Sequence, residues 1–392
     1  MTVFPAPSIR FAEAVLPGHP DKLADQVADA IVDIAIARDP RAIVQVEVAV
    51  HQDQCHVNGR CSTAGGALER DLIDATVRGV YRRAGFGVPF IGVGAGTDYQ
   101  CPNPTRLHVD LAALMVDEAD TDERADRERC DDQAIHVGYA VGTPETRWLP
   151  LEQHLALRLR DALLTLTATE RMLGAGPDGK LLIALHPTDD GRWAPSWIVT
   201  SVQHLVDAPT VRLERAVREL FHATLREEAS RCPALLAMPR GDCPVRFNES
   251  GVFVEGGPIN DNGQTGRKLM CDFYGPQVAI GGGALSGKDP WRLDRAGALR
   301  ARQIAVAMVD TGFVREARVT FAWGHRDRRP SGVVLEADGR ALDTSAVSRW
   351  LTRFDPSLAA THEELALATV NWENCARTGH FGRALAWEGH RA

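Results

Sequence analysis

The sequence predicts an α+β fold, and two patterns carry that prediction. Apolar residues recur at helical spacing in long segments, as Leu23, Val27, Ile31 and Ile34 do between Pro20 and Arg38. Elsewhere they alternate with polar ones, as Val44, Val46, Val48 and Val50 do around Gln45 and Glu47. The first spacing lines one side of a helix and the second one face of a half-buried strand. Each third of the 392-residue chain mixes the two, and that length holds two or three domains with real cores.

Taken in order, Pro20 suits the first turn of a helix over 20–38. A strand follows from Ala42 to Val50, then an amphipathic helix from Gly65 to Arg83. Residues 117–132, rich in Asp, Glu and Arg, read as an exposed connection and a domain boundary. A helix from Pro150 to Met172 opens the middle third. LLIALHP, the turn TDDGR and WAPSWIVTSVQ make a hairpin, and a helix from Thr210 to Ser230 closes that third. Short strands around Val252 to Val254 come next, then glycine-rich loops, a helix from Pro290 to Thr311 and a strand from Ala317 to Trp323. The hairpin VVLEADGRAL and two more helices end the chain. No sequence-level repeat is visible. The predicted boundaries are 1–115, 116–240 and 241–392.

Composition narrows the function. Apolar residues make up 44% and charged residues 24%, ordinary for a soluble globular protein. A net charge of −8 argues against a general nucleic-acid binder, which needs a basic surface. The start, MTVFPAPSIR, has no apolar leader, and the apolar stretch around Ile31 to Ala37 is too short to span a bilayer. The eight cysteines lack CxxC spacing, so reduced cytoplasmic thiols are expected rather than structural zinc.

Four segments carry chemistry. Gly18-His19-Pro20-Asp21-Lys22 opens a helix, whose free N–H groups and partial positive charge suit an anion. His19 and Lys22 add donors there, and Asp21 could hold a divalent metal. Asp25 and Asp29 follow on the same face, as they also would on an ordinary helix with a wet acidic side. Asp178-Gly179-Lys180 alone is an ordinary turn. GGPINDNGQTGRK, from Gly256 to Lys268, is a long loop of Gly and Pro ending on Arg267 and Lys268, with Phe253 upstream to stack on a base. GGGALSGKDPWRLD, from Gly281 to Asp294, matches GxxxxGK, but Asp289 stands where a P-loop needs Ser or Thr. A glycine loop with Lys288 and Arg292 still suits phosphate. Together the segments bring His19, Lys22, Lys180, Arg267, Lys268, Lys288 and Arg292 onto an acidic chain, with Asp21 and Asp294 for Mg²⁺. A polyphosphate is the natural partner.

These segments, with a late Gly379-His380-Phe381-Gly382-Arg383, occur in the order found in S-adenosylmethionine synthetases. The chain resembles that family from about Glu13 to Arg383, as a divergent member. The resemblance implies three similar α/β domains about a pseudo-threefold axis. It implies a homodimer or homotetramer with the active site at the dimer interface, Mg²⁺, and in many members K⁺. The activity implied is adenosyl transfer from ATP to the sulfur of L-methionine, with release of pyrophosphate and phosphate. His19, Lys22, Lys180, Arg267, Lys268 and Lys288 would meet the triphosphate. Phe253 would stack on adenine, and Asp178, Asp261 and Ala284 would also contact ATP. Asp21 and Asp294 would be magnesium ligands and Glu47 the potassium-site glutamate. Gln100 and Asp132, with Asp261, would hold the amino acid.

The departures gather on the methionine side. The family's GAGDQG reads Arg129-Cys130-Asp131-Asp132-Gln133-Ala134. A glutamate facing the methionine ammonium becomes Arg60, a lysine becomes Arg292, and an isoleucine of the sulfur pocket becomes Trp323. Reversed charge at a desolvated site disfavours an ammonium unless something compensates. The readings left open are therefore a methionine adenosyltransferase, an enzyme adenosylating a related nucleophile in specialised metabolism, and a non-catalytic ATP-binding subunit.

Overall fold

The computed structural model describes residues 9–87, 106–112, 123, 125–170, 173–236 and 243–389. The chain enters through β1 (Arg10–Val15), then α1 (Pro20–Arg38), β2 (Ile43–His51), β3 (Gln54–Ser62), α2 (Arg70–Ala84) and β4 (Leu107–Ala112). The middle holds β5 (Ala134–Val141), α3 (Leu151–Thr169), β6 (Ala175–Pro187), β7 (Trp193–His204) and α4 (Thr210–Arg231). Next come β8 (Val245–Phe247), β9 (Gly263–Gln264), α5 (Leu269–Asp272), α6 (Leu293–Asp310), β10 (Glu316–Trp323), β11 (Gly332–Ala337) and β12 (Arg340–Ala341). Helices α7 (Thr344–Arg353), α8 (Leu358–Glu364) and α9 (Trp372–Thr378) end the chain. Among the described residues no helix is long and apolar enough to cross a membrane.

The described strands form three four-stranded sheets, ordered β1-β6-β7-β8, β4-β3-β2-β9 and β12-β11-β10-β5. Helix α3, with α4 against it, backs the first sheet; α1, flanked by α2, backs the second; α6 backs the third. The alternation read in β2 is the cause of the second layer: Val44, Val46, Val48 and Val50 are buried, while Gln45 and Glu47 face out. Helix α6 lies hard on β5 at Gly138, where a Cβ would stand 2.0 Å from the Ala301 carbonyl carbon, so only glycine allows this approach. No sheet is confined to one of the segments 1–115, 116–240 and 241–392. β1 pairs with β6, β9 with β2, and β5 with β10.

Several expectations change in detail. Helix α2 starts at Arg70 rather than Gly65, because Thr63 to Gly66 close a turn in which the Thr63 hydroxyl donates to the Gly66 carbonyl at 2.6 Å. The acidic connection is not wholly exposed: Arg127 is 3% exposed, pairing with Glu123 at 2.8 Å and closely with Asp289, and Cys130 is buried. No strand forms at Val252 to Val254. Phe253 instead donates its N–H to His204 Nε2 at 3.3 Å and accepts the His204 N–H at 2.9 Å, and the strand of this region is β8. Helix α6 begins at Leu293, since Asp289 takes the Trp291 N–H at 2.9 Å and makes a local turn. Three helices, not two, follow the last hairpin.

The acidic face of α1 is buried, not wet. Asp21, Asp25 and Asp29 are buried and each receives a loop N–H: Gln264 to Asp21 at 3.0 Å, Gly266 to Asp25 at 2.8 Å and Gly287 to Asp29 at 2.8 Å. Asp33 takes the N–H groups of Trp372 and Glu373, each at 2.9 Å. Cations balance the buried charge, Arg295 on Asp29 and Lys22 on Asp25. Asp29→Ala leaves the fully buried Arg295 guanidinium and the Gly287 N–H without their acceptor, and the expected cost is about 3–5 kcal/mol. Urea midpoints for Asp29→Ala and for the exposed Asp190→Ala check it: the first should fall sharply and the second stay near wild type, and equal midpoints would remove the ladder from the stability argument.

Candidate active site

The first half of the site forms where α1 begins. Gly18 donates its N–H to the Pro177 carbonyl at 3.2 Å, and a Cβ at Gly18 would stand 2.5 Å from that oxygen. The GHPDK turn is thereby docked on the segment leading into Asp178 and Lys180. His19 caps α1, its Nδ1 accepting the Asp21 N–H at 3.3 Å. Burial, and then the charge of Lys268, bring the His19 pKa down to about 4. The ring is therefore neutral at pH 7, and with Nδ1 accepting, its proton sits on Nε2, free to donate.

The loop 256–268 closes over this turn. Its Asp21 and Asp25 bonds aim Arg267 and Lys268 at the helix start, where Lys268 Nζ pairs with Asp21 at 2.7 Å and Arg267 Nε lies 3.6 Å from it. Burial works to raise the Asp21 pKa, but hydrogen bonds from Lys268 and the Gln264 N–H hold it below the usual value. Asp178 takes the Gly257 N–H at 2.7 Å, and burial pushes its pKa up to about 6 against that bond. Gln203 links Asp178 to the residue after Phe253: its Oε1 accepts the Asp178 N–H at 3.2 Å and its Nε2 donates to the Val254 carbonyl at 3.1 Å. Lys180 is 46% exposed and pairs with Glu13 at 2.6 Å. Asp261 lies near enough to act on the His19 charge.

The second half lies along the loop 281–294. Lys288 Nζ pairs with Asp294 at 2.5 Å, and His136 Nε2 stands 3.4 Å from the same carboxylate. Burial would raise Asp294, but the His136 hydrogen bond and the Lys288 charge hold it down at about 2. Gly283 must be glycine, since a Cβ would stand 2.1 Å from Asp294 Oδ1. Beside this pair opens a cavity of about 340 Å³ lined by Gln45, Arg60, Glu123, Asp131, Asp132 and Arg292 among others. A smaller space of about 90 Å³ joins Asp131 and Asp132 to Lys288 and Asp294. Arg292 is bound to Asp131. The reversed charge at Arg60 is compensated, because its guanidinium pairs with Glu123 at 2.9 Å.

The structure thus brings His19, Asp21, Asp178, Lys180, Asp261, Arg267 and Lys268 to one place, and Lys288, Asp294, Arg292, Asp132 and Arg60 to another. The two loops touch where a Cβ at Gly266 would stand 2.7 Å from that of Ala284. Two residues sit differently from the sequence expectation. Lys22 is buried between Asp25 at 2.8 Å and Asp272, and does not face the open side. These carboxylates keep its pKa above the usual value although burial opposes its charge. Trp323 is buried on the β10 face that carries Val319 and Phe321, and its strand neighbour Ala134 lines the smaller space instead. Glu47 lies on the outer face of β2 under the influence of Lys288. Gln100 lies outside the described residues. Glu13, Gln203, His136 and Glu123 went unread in the sequence; each is a single polar residue with no local motif.

Comparison with known proteins identifies the family. Residues 8–93 match the S-adenosylmethionine synthetase N-terminal domain and residues 255–389 its C-terminal domain. An S-adenosylmethionine synthase of Thermus thermophilus is 35% identical over 387 residues, covering 96% of this chain and 94% of that protein. Those of Corynebacterium urealyticum and of a Synechococcus strain are 33% and 32% identical, again over 96% of this chain. The chain belongs to the S-adenosylmethionine synthetase family.

Proposed function

We propose that the protein transfers the adenosyl group of ATP to the sulfur of L-methionine, giving S-adenosylmethionine and releasing pyrophosphate and phosphate. The observation that carries this reading is a cation set in two halves, Lys180, Arg267 and Lys268 beside a neutral histidine donor and Lys288 on Asp294. A thioether sulfur has no proton to lose, so the reaction needs no general base. The sulfur lone pair forms the bond to C5′, the C5′–O bond breaks, and its electron pair leaves on the tripolyphosphate. Aligned reactants and fixed cations supply what that step requires. His19 Nε2–H donates to the leaving triphosphate without first losing a charge. The relatives' shared name over nearly the whole chain favours this reading over a different nucleophile or a non-catalytic subunit.

Asp21 and Asp294 fit magnesium in the form in which it is usually bound with nucleotides, through one or two carboxylates and the phosphates themselves. An ion held in this way would share its coordination with the ATP phosphates. Bound there, it would neutralise charge on the leaving group. Glu47 does not fit potassium as well, since the Lys288 ammonium already acts on it. We therefore assign no potassium site. Asp132, which makes a hydrogen bond with the Gln133 N–H, and Glu123 are the carboxylates we assign to the amino-acid side.

We further take the site to form between two copies of the chain, with Asp21 from one and Asp294 from the other. Asp21 and Asp29 anchor the two halves eight residues apart on α1, about 12 Å along the helix axis. Lys180 and Arg267 are about half exposed, and Ile135 and Val334 share an exposed apolar face of the third sheet. The three helix-backed sheets support three similar domains about a pseudo-threefold axis. The seven cysteines among the described residues are buried and free, which fits a reducing compartment such as the cytoplasm.

Incubation with ATP, Mg²⁺ and methionine should yield S-adenosylmethionine by mass spectrometry, and ADP or AMP with a modified acceptor would overturn the reading. Lys180→Ala and Lys288→Ala should each lower kcat by an amount worth about 2–4 kcal/mol of barrier. Near wild-type turnover in both would remove the phosphate assignment. Mixing inactive Asp21→Asn with inactive Asp294→Asn should restore about one quarter of the activity after subunit exchange, because half the dimers are mixed and one of their two sites is intact. No recovery despite demonstrated exchange would place both aspartates in sites built within one chain. Arg60→Glu sets a second carboxylate against Glu123, so KM for methionine should rise while KM for ATP holds. A lower KM for methionine would show that Arg60 itself opposes the substrate.

A further inference from the structure

A cavity of about 220 Å³ lies away from both halves of the site, where the C-terminal end of α2, helix α3, the start of β6 and α9 meet. Its lining includes Arg82, Arg83 and Arg377, with Leu164, Thr167 and Pro177, and no carboxylate belongs to it. Arg83 is held by both oxygens of Glu373, at 2.6 and 2.7 Å, from outside the lining. Arg82 and Arg377 have no carboxylate partner among the described residues, and the Arg377 Nε is buried with no hydrogen-bond partner. Arg82 and Arg83 are exposed at the rim of the cavity, and Arg377 is half-buried. The end of α2 would repel an anion through its free carbonyls, but Gly85 donates to the Tyr81 and Arg82 carbonyls at 3.1 Å and Phe86 to Tyr81 at 2.9 Å. The cavity is therefore positive, partly apolar and unbalanced.

We propose that this cavity is a second anion-binding site, for a compact phosphate-bearing molecule, and that its occupancy acts on the ATP half of the active site through Pro177. Arginine's planar fork matches phosphate oxygens, and while Glu373 answers Arg83, Arg82 and Arg377 offer two such forks to a ligand. Pro177 is the mechanical link. It lines the cavity, and its ring is wedged between two glycines: a Cβ at Gly85 would stand 2.9 Å from its Cβ, and one at Gly18 would stand 2.7 Å from it. Its carbonyl holds the Gly18 N–H, next to His19, and its chain neighbour is Asp178. Packing this close passes a displacement on rather than absorbing it.

Inorganic pyrophosphate serves as the probe, in isothermal titration calorimetry of the whole protein. Wild type should show two classes of site per chain. Lys180→Ala with Lys288→Ala should abolish one class, and Arg82→Glu with Arg377→Glu the other. Ala168→Trp fills the same cavity without touching charge and should abolish the same class as the arginine pair. In kinetics, pyrophosphate should change kcat as well as KM for ATP in wild type, and only KM for ATP in the arginine and Ala168→Trp variants. A single class in wild type overturns the proposal, as does a second class that survives either cavity change in a folded variant. A kcat response unchanged by Ala168→Trp overturns the coupling through Pro177.

Discussion

The structure depends on a row of carboxylates along α1. Asp21, Asp25, Asp29 and Asp33 are four residues apart, so they share one side of the helix. Each accepts backbone N–H groups from a distant segment: the loop before Lys268, the loop before Lys288, and the start of α9. Those segments have little regular structure to satisfy their own amides, and ordering them costs conformational entropy. Charge-assisted bonds from one rigid helix offset that cost and set the loops in register. The cations of both half-sites are positioned as a consequence.

The same principle governs the charges. Lys268 is paired with Asp21, Lys180 with Glu13, and Lys288 with Asp294. Under the proposed function a polyphosphate would replace the carboxylates without leaving any cation bare, and until then the pairs keep these cations balanced on an acidic chain. Asp21 and Asp294 would then be released from their lysines and could hold a metal ion. Lys22 differs, because its two acids and its burial keep it in the foundation of the site.

Arg60 illustrates how a sequence difference changes meaning in three dimensions. Alone, a cation in place of an anion reverses the preference for an ammonium. Glu123, sixty-three positions later by its number, returns the carboxylate to the same cavity and pairs with Arg60, Arg127 and, at 3.5 Å, Arg292. The cation and its carboxylate come from different segments, which no reading of one segment reveals.

The sequence by itself determined the elements whose cause is local. Helical spacing marked α1, α3, α4 and α6, alternation marked β2, and glycine loops ending in lysine marked the segments proposed to meet phosphate. It did not determine which strands share a sheet, since β1 finds β6 and β9 finds β2 only across long separations. Nor did it show that the acidic side of α1 is buried. A row of aspartates at i, i+4 has the same spacing whether water or backbone amides answer it, and only the tertiary structure supplied the glycine loops that do. Lys22 and Trp323 follow the same rule: the residue types were legible, but the direction in which each side chain is buried is set by neighbours far away in the chain.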